Sequence, residues 1–148
     1  FEGQAAIWLE QIALKAHNED AYPFPFLGDE LDFRPLLASV LQDRLRRRDL
    51  GEIARAFHHG IAGGLANALT SLAQSRDLKT IVLSGGVFQN ELLLDDLKAL
   101  FTGGPMTIWI NHVVPPNDGG ISLGQASIAA FQTNNELPGS NLRNLRHA

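Results

Sequence analysis

Two glycine-rich stretches hold the residues whose types and spacing suit chemistry: Ser84-Gly85-Gly86-Val87-Phe88-Gln89-Asn90 and Pro115-Pro116-Asn117-Asp118-Gly119-Gly120. In the first, Gly85 and Gly86 leave no side chain between a ligand and the backbone. A helix that begins just after them points unpaired N–H groups at the same spot, which favours an anion. Asn90, expected in the first turn of that helix, offers an amide that both donates and accepts. That suits a ribose hydroxyl or an adenine edge. A tight strand-to-helix turn accounts for the same residues without any ligand. The stretch is not a Walker A loop, since no Gly-Lys-Ser/Thr follows. In the second stretch, Asp118 stands at a helix start, where it either caps backbone N–H groups or holds a divalent metal near bound phosphates. Gly119, Gly120 and Gly124 would let that helix start lie close to a ligand. Loops leaving adjacent parallel strands meet in one crevice beyond the strands' C-terminal ends. That convergence favours binding over two bare turns.

Other reactive side chains are less organised. His58 and His59 are adjacent on a helix and point about 100° apart, so they do not share a metal easily. Core packing or a supporting hydrogen bond is the expected role for either. His17, His112 and His147 have no partner at a ligating spacing, and no Ser-His-Asp arrangement is readable. Met106, Trp8 and Trp109 read as packing residues. Arg44, Arg46, Arg47 and Arg48 form the one basic cluster. A solvated helix C-terminus, whose dipole cations offset, explains it better than a phosphate or partner patch.

The elements that must position these loops follow from periodicity. Ala5, Trp8, Leu9, Ile12, Ala13 and Ala16 predict an amphipathic helix over 3–17. Pro23, Pro25 and Gly28 make 18–29 a loop or edge segment. Leu31-Asp32-Phe33 reads as a short strand, and Pro35 opens a helix running to about Arg46. From 51 to 74, Ile53, Phe57, Ile61, Leu65, Ala68 and Leu72 form one stripe, while Gly60, Ala62, Gly63, Gly64 and Ala66 leave part of the helix bare. Glycine inside a helix costs up to about 1 kcal/mol, so this face should pack tightly on a sheet or a neighbouring helix. Thr80-Ile81-Val82-Leu83 has the look of a strand buried on both faces of a parallel sheet. A helix follows with Leu92, Leu93, Leu97 and Leu100 inward, stopped by Gly103-Gly104-Pro105. Thr107-Ile108-Trp109-Ile110 is the next strand, completing a β-α-β unit. A helix from Gly119 to about Phe131 comes last, and residues 134–148 read as a polar tail. No internal repeat is visible.

Composition bounds the function classes. A length of 148 residues, 45% apolar and 19% charged, suits one α/β domain or lobe. No run approaches the roughly 20 apolar residues of a membrane span. With no cysteine, disulfides, thiolate metal sites and a cysteine nucleophile are excluded from this segment, which fits a cytoplasmic protein. A net charge of −4 argues against a broad nucleic-acid surface. Phe1-Glu2-Gly3-Gln4 is neither an initiator start nor a signal peptide, so the expectation is a chain beginning partway through something larger or at a processing boundary.

Leu83–Asn90 together with Pro115–Ala126 closely resembles the end of the hydrogenase maturation carbamoyltransferases, the HypF family. Phe1-Glu2-Gly3-Gln4-Ala5-Ala6 is similar to that family's Tyr-Glu-Gly-Gln-Ala-Ala segment, and Ala56-Phe57-His58 to its Phe-His helix. The resemblance runs nearly the whole length. It implies the second lobe of an actin/Hsp70/sugar-kinase-like (ribonuclease H-like) fold, related to the TsaD proteins of tRNA modification, with residues 1–133 as the lobe. It implies carbamoyl phosphate and ATP as substrates, carbamoyl-adenylate as the product, and the C-terminal cysteine of the partner HypE as carbamoyl acceptor. By the same pattern Gly3, Gly85, Gly86 and Asn90 match nucleotide-binding positions. Asp118 matches a ligand of a divalent metal, of the Mg or the Fe/Zn type. The family's acylphosphatase-like, zinc-finger and YrdC-like parts and its His-x-x-x-His pair have no counterpart here, so the fragment is expected not to turn over alone. The order Asn117-Asp118 argues against a TsaD protein proper. A sugar-kinase lobe and a non-catalytic docking lobe, using the 51–74 helix or the arginine cluster, are the alternatives.

Overall fold

The computed structural model describes residues 3–136. Phe1, Glu2, His147 and the expected tail from residue 137 onward lie outside the described residues. The elements run α1 Gln4–Ala13, β1 Phe26–Leu27, β2 Glu30–Leu31, α2 Arg34–Leu45, α3 Leu50–Ser75, β3 Thr80–Leu83, a 3-10 turn Gly86–Gln89, α4 Glu91–Phe101, β4 Thr107–Ile110, a second 3-10 turn Asp118–Gly120, and α5 Ile121–Glu136. This is an α/β chain, helix-rich first and β-α-β-α after. The last helix runs to Glu136, past its expected end near Phe131, because no breaker occurs before Pro138.

The long helix α3 is the organising element. Asp49 starts it, its Oδ1 accepting the N–H of Gly51 at 2.8 Å and of Glu52 at 3.2 Å. Its end folds back through Leu78 N–H to the Ala73 carbonyl at 2.9 Å, with Asp77 left-handed at φ 51°. One core forms where Ala62 and Ala66 of α3 meet Ile81 and Leu83 of β3 and Leu93, Leu97 and Phe101 of α4. A second joins Ile53 and Ala56 to Tyr22 and to Leu36 of α2. Across the helices, Arg55 and Asp96 pair through two bonds of 2.6 and 2.7 Å.

The bare face of α3 packs on a sheet and a helix through Ala62 and Ala66, and its glycines Gly60 and Gly64 also admit an extended segment. A Cβ on Gly60 would sit 2.5 Å from the Tyr22 carbonyl oxygen, and one on Gly64 would collide with the Phe24 ring. Tyr22 N–H donates to the Ala56 carbonyl at 3.1 Å, so residues 22–24 lie flat along the helix. Small residues were needed to admit a chain that carries its own carbonyls.

β3 and β4 pair in parallel, Thr80 opposite Thr107 through Leu83 opposite Ile110. Burial on both faces of β3 is not what the structure shows. Ile81 and Leu83 are buried, whereas Val82 is 64% and Trp109 of β4 62% exposed. The helices cover one face of this sheet, and no described residue covers the other. Trp109 on that face and Trp8 on α1 are therefore not packing residues within the described residues, and on α4 Leu100 faces out while Phe101 takes the inward place.

Candidate functional site

The chemistry gathers where α1 meets the first glycine loop. Gly85 has φ 110° and ψ 160°, a conformation open to glycine but not to residues with a Cβ. It releases the chain from β3 into the 3-10 turn, whose Phe88 N–H returns to the Gly85 carbonyl at 3.1 Å. Asn90 then stands at the N-cap of α4, one position before the helix rather than inside its first turn. Its Oδ1 accepts the Leu93 N–H at 2.8 Å, and its Nδ2 lies 3.0 Å from His58 Nε2.

The expected anion site at the start of α4 is already filled. Besides the Leu93 N–H taken by Asn90, the Leu92 N–H donates to Glu10 Oε1 at 3.2 Å. A carboxylate from α1 thus sits where a phosphate would have gone, and it repels one. Glu10 and Asn90 instead make a polar corner that accepts and donates hydrogen bonds to neutral groups.

That corner is one end of a cleft of about 380 Å³ lined by Gly3, Ala6, Ile7 and Glu10 of the α1 region and by Gly86, Val87, Gln89 and Asn90. Three of the residues expected to contact nucleotide, Gly3, Gly86 and Asn90, therefore share one surface. Gly85 shapes the turn without lining the cleft. Gly3 is the N-cap of α1, left-handed at φ 81°, with no side chain capping the helix. Small side chains on one wall and a carboxylate–amide pair at the end fit a sugar or base edge.

The second loop adjoins the first without lining this cleft: a Cβ on Gly86 would lie 4.0 Å from Asn117 Cβ. The cleft is lined by the first loop and α1, and the second loop stands beside Gly86 outside that lining. The cap of the second loop is Asn117, whose Oδ1 accepts the Gly119 N–H at 3.0 Å. Asp118 is exposed and does not cap. Gly119 and Gly120 are hemmed in by their own loop, the latter with its virtual Cβ 2.9 Å from the Pro115 oxygen, and nothing lies within 4 Å of one on Gly124. These glycines let the loop fold on itself. A metal centre needs several ligands, and among the described residues no group of three or more His, Asp or Glu side chains comes together. The residues present do not fit a metal site by themselves.

The histidine pair diverges as its spacing requires. His58 is buried among the helices, whereas His59 Nδ1 meets the Asp20 carbonyl at 3.2 Å. The arginine cluster is not simply solvated. Arg48 bonds Asp20, Asp43 and Glu52 at 2.7–2.9 Å, tying the 18–25 segment to α2 and α3. Arg48 is thus committed to the fold, while Arg44, Arg46 and Arg47 stay exposed, and α3 is covered along most of its length. Glu10 was not singled out from the sequence. Its spacing of seven from Gly3 puts both on one helix face, yet nothing in the sequence told which face meets the loop.

Residues 1–125 match the family model described as the second subdomain of the Kae1-like domain of carbamoyltransferase. The carbamoyltransferase HypF of Synechocystis sp. is 36% identical over 139 residues, covering 89% of this chain and 17% of that protein. A crystal structure of full-length HypF in the phosphate- and nucleotide-bound form superposes with a TM-score of 0.80 at 34% identity, over 89% of this chain and 18% of that one. The crystal structure of T. kodakarensis HypF gives a TM-score of 0.79 at 26% identity, over 91% of this chain and 18% of that one. The chain thus spans less than a fifth of the length of each of these three relatives.

Proposed function

This chain belongs to the HypF carbamoyltransferase family, and from that membership we propose that it is the nucleotide-holding lobe, residues 1–133, of a longer carbamoyltransferase. The lobe is the second of an actin/Hsp70/sugar-kinase-like pair, and ATP lies between it and the lobe supplied by the rest of the protein. In the complete enzyme, ATP, carbamoyl phosphate and water yield carbamoyl-adenylate, with phosphate and pyrophosphate released. The carbamoyl group then passes to the C-terminal cysteine thiol of HypE, with AMP as the leaving group, for the maturation of [NiFe] hydrogenase in the cytoplasm. The chain has no cysteine of its own to accept it.

The observation that supports this reading is the meeting of Gly3, Gly86 and Asn90 in one cleft with Glu10 at its end. Glu10 accepts the ribose hydroxyls and Asn90 completes the polar edge, while Gly3, Ala6 and Gly86 leave room for the nucleoside beside the backbone. Gly85 sets the turn. The phosphates run away from Glu10, since its charge opposes theirs. A nucleotide-bound HypF of the same fold adds weight. Asp118 supplies at most one ligand to a divalent metal completed by the other lobe.

The test uses the complete protein and the non-hydrolysable analogue AMP-PNP, following the backbone amides of Gly3, Gly85, Gly86 and Asn90. All four shift on binding. AMP-PNP binding that moves none of them sinks the reading. Glu10→Gln keeps an acceptor for the Leu92 N–H but removes the charge; it should weaken AMP-PNP roughly tenfold, the scale of a charged hydrogen bond. The 2′,3′-dideoxy nucleotide should bind both forms equally weakly.

A further inference from the structure

We propose that His58 is a positioning residue for the nucleotide cleft, acting through Asn90. The inference rests on the reading of that cleft as a nucleotide site, and adds to it a residue that does not touch the ligand. His58 lies on α3, 4% exposed, outside the cleft lining. Its Nδ1 is 2.8 Å from the Ala54 carbonyl oxygen. A carbonyl can only accept, so Nδ1 carries the proton and Nε2 presents a lone pair. That lone pair faces Asn90 Nδ2 at 3.0 Å. The other end of the same amide is bound as firmly, Oδ1 accepting the Leu93 N–H at 2.8 Å.

The Asn90 amide is therefore held at both ends by groups of opposite kind. An N–H can only donate to Oδ1, and an unprotonated ring nitrogen can only accept from Nδ2. The reversed amide would set N–H against N–H and oxygen against a lone pair. One N–H of Nδ2 and one lone pair of Oδ1 remain, and both belong to a residue lining the cleft. The chain from the Ala54 carbonyl through His58 and Asn90 to the Leu93 N–H thus holds the donor end of the amide in one direction beside the ligand. The buried His58 of α3 thereby sets the orientation of a part-buried side chain 32 residues away in sequence. A capping asparagine without His58 would keep its Oδ1 in place but let Nδ2 turn to water.

The test is a double-mutant cycle on AMP-PNP affinity in the complete protein, with His58→Phe, Asn90→Ser and both together. Ser preserves the cap while removing the amide. His58→Phe alone should weaken binding about five- to tenfold, the effect of one neutral hydrogen bond, and should have no further effect once Asn90→Ser is present. His58→Gln, which keeps both a donor and an acceptor, should restore most of the affinity, and His58→Leu replaces the Phe variant in the cycle if that variant does not fold. Equal losses from His58→Phe in both backgrounds, or no loss with Asn90 intact, overturn the positioning role. If Asn90→Ser itself leaves AMP-PNP affinity unchanged, the cleft reading fails and the positioning role falls with it.

Discussion

Single side chains in this molecule do more than their local sequence announces, and Arg48 is the case with the most consequences. Its guanidinium holds Asp20 at a pKa of about 2, with Asn18 assisting against the opposing effect of burial. Burial and the bond to Asp43 push the Tyr22 hydroxyl up to about 12. Asp20 titrates lower when folded than the usual carboxylate value of about 4, so its contribution to stability is complete above that value and lost as the pH falls through about 2. Tyr22 is linked in the other direction: its contribution is present below about pH 10 and lost as the pH rises through about 12. Thermal midpoints of the native chain and Asp20→Asn should differ most near pH 5 and converge towards pH 2; a constant gap would show that the Arg48 bond is not what depresses Asp20. Arg48 was legible as a charge in a cluster. Its three acidic partners come from different segments, and only the fold says which arginine of the cluster faces them.

At the level of elements, α3 shows how a pattern can be read correctly and one of its partners missed. Gly60 and Gly64 required a close neighbour, and that neighbour is the extended 22–24 segment. The two kinds of glycine can be told apart by substitution. Gly60→Ala drives a methyl into the Tyr22 carbonyl and should cost about 1–3 kcal/mol in chemical denaturation. Gly63→Ala meets nothing within 4 Å and should stabilise by roughly 0.5–1 kcal/mol through helix propensity and a less flexible unfolded chain. Equal effects at the two positions would contradict the packing described here. The elements β3, α4 and β4 were legible almost to the residue, because short β-branched runs bounded by Gly-Gly and Gly-Gly-Pro leave few alternatives. The start of α4 was misread in one respect. A helix N-terminus offers N–H groups, but whether a ligand or the protein takes them depends on a residue such as Glu10, more than eighty positions earlier.

Across the whole molecule, the described residues leave one face of the β3–β4 sheet open, with Val82 and Trp109 on it, and carry Ile128 and Phe131 outward on α5. A two-stranded parallel sheet with one bare face is an incomplete layer, since parallel sheets are ordinarily covered on both sides. A longer protein, of which the relatives give the scale, would supply the cover. In a Trp8→Phe background, Trp109 fluorescence should be readily quenched by acrylamide in the 148-residue chain and protected in the complete protein; equal quenching in both would leave the sheet face bare. The amino-acid sequence by itself determined the α/β class, the order of the elements, the two glycine loops and the family. These depend on local periodicity, turn chemistry and ordered motifs, all of which are written along the chain. Only the tertiary structure decided that α1 lines a cleft with the first loop, that Glu10 occupies the anion position, and that His58 reaches Asn90. Those depend on which helix faces meet across the core, and that is settled by the packing of distant side chains rather than by any spacing between neighbours.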